Sequence, residues 1–336
     1  MPKRAEQKFG PSTVLRAVSL SNGKVGLIGL GLMGRGIAAC LLSRGLAVIA
    51  YNRTARRANQ ACRYIAEMLE ELVARKVVRR SQVSDWGERF RSTQSLGELA
   101  ETQFIIESVT EDLDLKRSIY DQVEAVVPAR TVIASNTSSF PTTLLQQGRR
   151  HPARFIVMHW SEPATITRYL EIVPGEKTAR RTVRLTEKLG LLCGKEPTVL
   201  KLDIRGFISN RLMYAMMREA CYLVESGVAD VAAVDRSFRN DVGWWATLAG
   251  PFRWMDLTGI PAYAAVMEGL FPELAHSKSV PELMKKVVGK GAKGTSNRKG
   301  FYRYTRASAR EWEKAWVDFT FDVRRLVEKY EKQVRP

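Results

Sequence analysis

Six consecutive residues restrict the fold of this chain more than anything else in it: Gly29-Leu30-Gly31-Leu32-Met33-Gly34, a GxGxxG run. Alone, such a run is a weak signal. Here it follows directly on an apolar segment of strand length, Lys24 to Gly29 (KVGLIG), and opens a helical pattern containing Gly36, Ile37 and Ala38. A second apolar segment, Leu46 to Tyr51 (LAVIAY), comes at the distance a return strand requires. Strand, glycine turn, helix and strand make one βαβ unit, and that context gives each glycine a separate task. Gly29 permits the tight turn, Gly31 lets backbone approach a pyrophosphate, and Gly34 lets helix pack closely on strand, with phosphates held at the helix N-terminus.

The unit repeats along the chain. Phe104 to Ser108 (FIIES), Thr131 to Ser135 (TVIAS) and Arg154 to Trp160 (RFIVMHW) are further near-continuous apolar runs, the pattern of strands buried on both faces. Helical patterns lie between them at Met33 to Arg44, Thr54 to Lys76, Leu113 to Val127 and Thr178 to Leu189. Strand and helix in alternation predict an α/β, Rossmann-type, doubly wound and mainly parallel sheet.

Cofactor choice turns on the end of the second strand, where an acid would accept hydrogen bonds from the adenosine ribose and repel a 2′-phosphate. The chain has Tyr51-Asn52-Arg53-Thr54 there. No carboxylate is present, and Arg53, with Arg56 and Arg57 one turn on, can pair with a 2′-phosphate. The Asn-Arg-Thr run is similar to that of NADP-dependent beta-hydroxyacid dehydrogenases. NAD or NADP is therefore the expected cofactor, NADP slightly favoured, with Asn52 and Arg53 among its contacts. No metal is expected.

After Asp203 the texture changes. Gly206 to Glu225 (GFISNRLMYAMMREACYLVE) reads as one long apolar helix, and no strand alternation follows it. The expected organisation is an N-terminal extension at 1–22, a dinucleotide-binding domain at 23–204 and an all-helical substrate and dimerisation domain at 205–336. A last helix spans Glu311 to Tyr330, where Trp312, Trp316, Phe319, Val323, Leu326 and Tyr330 recur at steps of three and four, the stripe of a core or a subunit interface.

Charge poses a separate question, since 53 Lys plus Arg against 35 Asp plus Glu leave a net +18. The pairs Arg56-Arg57, Arg79-Arg80, Arg149-Arg150 and Arg180-Arg181 are too dispersed for a nucleic-acid arm, and no reader motif is present. Lys285 to Arg310 differs: it carries nine basic residues and no acid, around Gly289, Gly291, Gly294 and Gly300. It reads as a solvated basic loop or a loop that contacts phosphate. Four widely spaced cysteines form neither a zinc pattern nor a disulfide framework, and no apolar run approaches a membrane span. A cytoplasmic protein with no membrane or nucleic-acid partner is expected.

Taken in order, Gly29 to Ala38 (GLGLMGRGIA), Glu107 to Lys116 (ESVTEDLDLK), Ser135 to Phe140 (SNTSSF), Phe155 to Thr178 with His159, Pro163, Glu171 and Gly175, Gly206 to Leu212 (GFISNRL) and Lys299 to Tyr304 (KGFYRY) resemble the 3-hydroxyacyl-CoA dehydrogenase family over about Lys24 to Tyr304. The resemblance implies interconversion of 3-hydroxyacyl-CoA and 3-oxoacyl-CoA, fatty-acid metabolism such as beta-oxidation, and a homodimer through the helical domain. That chemistry needs a base for an alcohol proton, for which histidine, steadied by a carboxylate, is suited at neutral pH. His151 precedes Pro152 in a turn-like stretch and His276 lies in a polar loop, while His159 ends a buried strand, as a ligand residue or as a satisfied core histidine. The resemblance makes His159 the general base and Glu171 its partner. It also implies Ser138 and Asn210 as substrate contacts and Glu111 and Lys116 as cofactor contacts, where a helix cap and surface positions are the plainer alternatives.

Two departures bear on substrate. The family's usual His-Phe-Phe-Asn-Pro is here His159-Trp160-Ser161-Glu162-Pro163, a carboxylate in place of an amide. Ile166-Thr167-Arg168-Tyr169 replaces an apolar approach to Glu171. Glu162 either faces the site or pairs with Arg168, and Arg168 could instead hold a free carboxylate. A dehydrogenase of a free hydroxy acid, gulonate- or carnitine-like, and a non-catalytic crystallin-like protein that binds the cofactor therefore remain as alternatives.

Overall fold

Strand-length runs of Val, Ile, Leu and Ala can bury both faces only inside a sheet covered on two sides, and that is where the chain puts them. The structure, a computed structural model, describes residues 23–334. The expected extension at 1–22 lies outside the described residues. The chain forms two compact units, one ending at Phe207 and the other beginning at Ile208.

The first unit runs β1 (Lys24–Ile28), α1 (Leu32–Ser43), β2 (Ala47–Tyr51), α2 (Ala55–Ala74), a short α3 (Trp86–Arg89), β3 (Phe90–Thr93), β4 (Phe104–Glu107), α4 (Leu113–Val126), β5 (Val132–Ser135), a short α5 (Thr142–Leu145), β6 (Phe155–Trp160), β7 (Tyr169–Val173), α6 (Arg180–Leu192) and β8 (Glu196–Val199). The eight strands form one sheet in the order β3-β2-β1-β4-β5-β6-β7-β8. Every pairing is parallel except β6 with β7. The chain switches direction between β1 and β4, which opens a crevice at the carboxyl ends of the strands. β4, β5 and β6 are buried along their whole length, and Tyr120 and Phe155 pack edge to face in the core beneath them.

β3, β7 and β8 are the three strands the apolar runs do not reveal. Glu171 interrupts β7, while β3 and β8 close the two edges, and their sequences, FRST and EPTV, leave most positions partly or fully exposed. Short, half-polar strands are how a sheet blunts its edges, so they lack the signal that marks the centre.

The second unit is helical: α7 (Ser209–Glu225), α8 (Val231–Asn240), α9 (Val242–Ala246), α10 (Gly250–Thr258), α11 (Ile260–Leu270), α12 (Glu282–Gly289) and α13 (Arg306–Val334). α7 begins three residues later than its sequence pattern because Gly206 (φ +80°) and Phe207 (φ +51°) are left-handed. α13 extends past the expected 311–330 at both ends. No residue of α7 to α12 is buried, and among the residues of α13 up to Gln333 only Ala309, Phe321 and Val327 are.

Candidate active site

The glycine turn after β1 gives its three glycines different surroundings. Gly29 has φ +95°, and a Cβ there would lie 2.6 Å from the Ser108 carbonyl oxygen. A Cβ on Gly34 would lie 2.0 Å from the Gly29 carbonyl oxygen, so α1 can sit this close to the turn only without one. Gly31 is different: it is exposed, and a Cβ there would meet no protein atom within 4 Å. No protein atom constrains a side chain at this position. Gly31 also caps α1 without a side-chain hydrogen bond, and the first turn holds no acid. The helix thus presents free N–H groups and its positive end to open space, a fit for a dinucleotide pyrophosphate.

At the end of β2, Asn52 is buried and its amide donates to the Thr54 carbonyl at 2.9 Å. Arg53, Arg56 and Arg57 are exposed at the start of α2, whose first turn carries no acid.

Glu107, at the end of β4, is wholly buried and holds the neighbouring strand ends together. It accepts hydrogen bonds from Lys116 Nζ (2.7 Å), Tyr120 Oη (2.6 Å), Ser135 Oγ (2.6 Å) and the Val109 N–H (2.8 Å), which compensates the cost of a charge out of water. Burial, and then the Glu107 charge, push the Tyr120 phenol well above its ordinary range. Lys116 is 1% exposed, and its ammonium lies between Glu107 and Glu111, 3.3 Å from the latter. Its visible task in this unit is structural.

Glu111 organises the loop after β5. Its Oε1 accepts from the Thr137 hydroxyl, the Ser139 hydroxyl at 2.8 Å and the N–H groups of Ser138 and Ser139 at 3.2 Å each. Partial burial works against its charge, but these donors and Lys116 outweigh it and hold the carboxyl below its usual range. Ser138 is thereby exposed at the rim of the crevice on a fixed backbone. Asn136, which the sequence reading passed over, accepts from the Trp160 N–H at 2.9 Å and donates to Ser108 Oγ at 3.2 Å. It ties the ends of β4, β5 and β6 into one rim.

His159 and Glu171 face each other because of sheet register. β6 and β7 are antiparallel, and their pairing sets His159 directly opposite Glu171. The imidazole Nδ1 lies 3.2 Å from Glu171 Oε2, both side chains nearly buried, with Phe207 packed on the ring at 5.4 Å. Tyr169, also missed from sequence, stands beside both. Its only signal was a polar group where an apolar approach to Glu171 was expected.

Arg168 does not pair with Glu162; it pairs with Glu196 of β8 at 2.7 Å. Glu162 lies over Gly36 of α1, and its charged neighbours are Arg35, stacked on Tyr64, and Lys195. Its Oε2 is buried without a hydrogen-bond partner among the described residues, and burial raises its carboxyl above the ordinary range despite those two cations. Asn210 lies in the first turn of α7, in the helical unit.

The basic segment forms α12, a glycine-lysine turn and the start of α13. A cavity of about 340 Å³ beside it is lined mainly by apolar side chains, among them Val231, Met284, Val288 and Phe301, which is not the lining of a phosphate cradle. Among the described residues, no group of three or more His, Cys, Asp or Glu could hold a metal ion, and no helix is long and apolar enough to cross a membrane.

Known proteins match along nearly the whole chain. The model of the 3-hydroxyacyl-CoA dehydrogenase NAD-binding domain matches residues 24–203, and that of the C-terminal domain of the same enzymes matches 206–304. The 5-formyl-3-hydroxy-2-methylpyridine 4-carboxylate 5-dehydrogenase of Mesorhizobium japonicum is 31% identical over 305 residues, covering 90% of this chain and 98% of its own. The 3-hydroxybutyryl-CoA dehydrogenase of Bradyrhizobium diazoefficiens is 31% identical over 282 residues, 84% of this chain and 95% of its own. A crystal structure of a dehydrogenase of the same pyridine carboxylate, described as an NAD+ dependent dismutase, superposes with a TM-score of 0.86 at 30% identity over 91% of this chain and 99% of that one.

Proposed function

The chain belongs to the 3-hydroxyacyl-CoA dehydrogenase family, and from that membership and the site geometry we propose that it interconverts 3-hydroxyacyl-CoA and 3-oxoacyl-CoA with His159 as general base. The observation that carries this reading is the register that sets His159 opposite Glu171 at the carboxyl end of β6. A bound nicotinamide dinucleotide would supply the hydride acceptor in one direction and the donor in the other. Glu171 orients the imidazole through Nδ1 and stabilises the imidazolium formed when Nε2 takes the hydroxyl proton. Ser138 positions the oxygen that becomes the carbonyl, and Asn210 of the helical unit is the second substrate contact that family membership implies. Gly29, Gly31 and Gly34 shape the pyrophosphate site, and Glu111 and Lys116 support the cofactor by fixing the loop that carries Ser138.

The exposed Arg53, Arg56 and Arg57, with no acid beside Asn52, support acceptance of NADP(H) alongside NAD(H). A second substrate reading, a hydroxy acid with a free carboxylate, is favoured by the pyridine-carboxylate dehydrogenase, which matches more of this chain than the hydroxybutyryl-CoA enzyme does. The apolar stripe of α13 favours a homodimer through the helical unit: Trp312, Trp316, Phe319 and Leu326 are each more than half exposed. Acetoacetyl-CoA offered with NADH and with NADPH, followed by nicotinamide absorbance, tests the assignment. Turnover with either supports it. Tight cofactor binding without turnover excludes the acyl-CoA reading and leaves the free hydroxy acid and the non-catalytic cofactor-binding protein.

A further inference from the structure

Tyr169 opens β7 two residues before Glu171, so the pleat of the strand puts both side chains on one face. The register places His159 opposite the same face. The Tyr169 hydroxyl lies 2.7 Å from His159 Nδ1 and 2.5 Å from Glu171 Oε2, whereas Nδ1 and Oε2 are 3.2 Å apart. The phenol is therefore the nearer partner of the imidazole, and its ring meets the histidine ring edge on at 88° with centroids 5.4 Å apart.

Proton direction follows from what each group can give. A carboxylate only accepts, so at 2.5 Å from Glu171 the phenol must donate its single proton there. Its oxygen then faces Nδ1 as an acceptor, and Nδ1 must carry a hydrogen. In neutral imidazole this leaves Nε2 bare, the form a general base needs. A direct charge-assisted bond between the ring and the acid would be some 2.7–2.9 Å long, shorter than the 3.2 Å observed.

We propose that Tyr169 is a positioning residue that links His159 to Glu171, holding the imidazole in its Nδ1–H form and carrying the influence of the carboxylate to the ring. This rests on the reading of His159 as the base. During substrate oxidation the hydroxyl proton moves to Nε2, the O–H electron pair becomes the second bond of the carbonyl, and the hydride leaves the same carbon for the nicotinamide. Tyr169 gives up no proton in that step. It orders the ring before it and shares the positive charge after it.

Two readouts on the full-length protein test this. The first needs no substrate: nitrogen NMR of histidine-labelled protein, with the His159 signals assigned by their loss in His159→Gln. A protonated Nδ1 whose hydrogen exchanges slowly in the wild type and rapidly in Tyr169→Phe is expected, with NADH affinity unchanged as the check on folding. An unprotonated Nδ1 in the wild type overturns the proposal. The second is a double-mutant cycle in acetoacetyl-CoA reduction by NADH. Tyr169→Phe is expected to lower kcat about 10-fold, the scale of one hydrogen bond, with both KM values within about twofold. Combined with Glu171→Gln it should add less than about twofold to the loss from Glu171→Gln alone, because Tyr169 acts through that carboxylate. Fully additive losses overturn the proposal. Wild-type turnover in His159→Gln would defeat the assignment of the base, and absence of turnover in every form would defeat the acyl-CoA assignment; in both cases the NMR arm still decides the role of Tyr169.

Discussion

The two units of this chain are both rich in large apolar residues, and they spend them in opposite ways. In the first, Phe104, Ile105 and Ile106 of β4 are fully buried. In the second, Trp244 is 78% exposed, Phe252 79% and Trp312 61%. A strand covered on both faces hides its side chains within its own domain. An amphipathic helix shows a stripe that another surface must cover, and that surface can belong to another molecule. Hydrophobicity in a sequence therefore says that a residue needs covering, not that its own chain provides the cover.

One substitution made in each unit separates the two uses of apolar side chains. Phe104→Ala should cost about 3–5 kcal/mol in denaturant unfolding, because the side chain is 0% exposed in the sheet. Phe319→Ala in α13, where the ring is 58% exposed, should change the stability of dilute protein by less than about 1 kcal/mol. Its effect should appear instead as weakened self-association in sedimentation and as a melting temperature that no longer rises with protein concentration. Equal losses at the two positions, with no concentration dependence in the wild type, would refute both the contrast and the proposed dimer.

Lys116 separates a buried ion pair from a ligand contact. Replacement by Met leaves Glu107 fully buried without its cation, and the expected cost is about 3–5 kcal/mol. A variant that keeps wild-type stability while losing cofactor affinity would move Lys116 from the structural set to the binding set.

Much of this arrangement was legible in the chain itself. The five central parallel strands lie within a residue or two of their apolar runs, since a strand buried on both faces has little choice of side chain. β3 and β8 were invisible because edge strands are short and part polar. His159 and Glu171 could be paired from resemblance, but only the antiparallel register of β6 and β7 shows why residues twelve apart meet. Tyr169 bonds across to His159 of β6 and Asn136 to the backbone of Trp160, and such cross-strand contacts leave no periodicity. Lys116 resembles a cofactor contact in sequence, and only burial shows it enclosed between two carboxylates.

Within the first unit, two glycines sharpen the distinction between residues placed for packing and residues placed for a ligand. Gly34→Ala forces a Cβ to within 2.0 Å of a backbone oxygen, and the expected cost is about 1–3 kcal/mol from overpacking. Gly31→Ala meets no protein atom within 4 Å, so thermal stability should hold while the dissociation constant for the dinucleotide rises about 10-fold or more, as measured by fluorescence titration with NADH and NADPH. If Gly31→Ala binds as the wild type does, the pyrophosphate does not pass where the uncapped end of α1 suggests.

The smallest effect concerns Glu162, a carboxylate in the first unit with a buried oxygen that has no hydrogen-bond partner among the described residues. Its carboxyl is raised by desolvation, with Arg35 and Lys195 acting against that rise. For an acid raised in the folded state, ionisation at neutral pH opposes folding, and the penalty fades as pH falls through the raised value toward the ordinary carboxylate range. Glu162→Gln removes the charge and should raise the melting temperature at pH 7.5 by about 1–2 °C, on the order of half a kcal/mol for a domain of this size, a modest figure because the side chain is only partly buried. The gain should shrink and vanish as the pH approaches about 4. A gain that persists at low pH would mean that the amide improves packing, and a loss at pH 7.5 would mean that the two cations outweigh burial and Glu162 is a paired charge like Glu107.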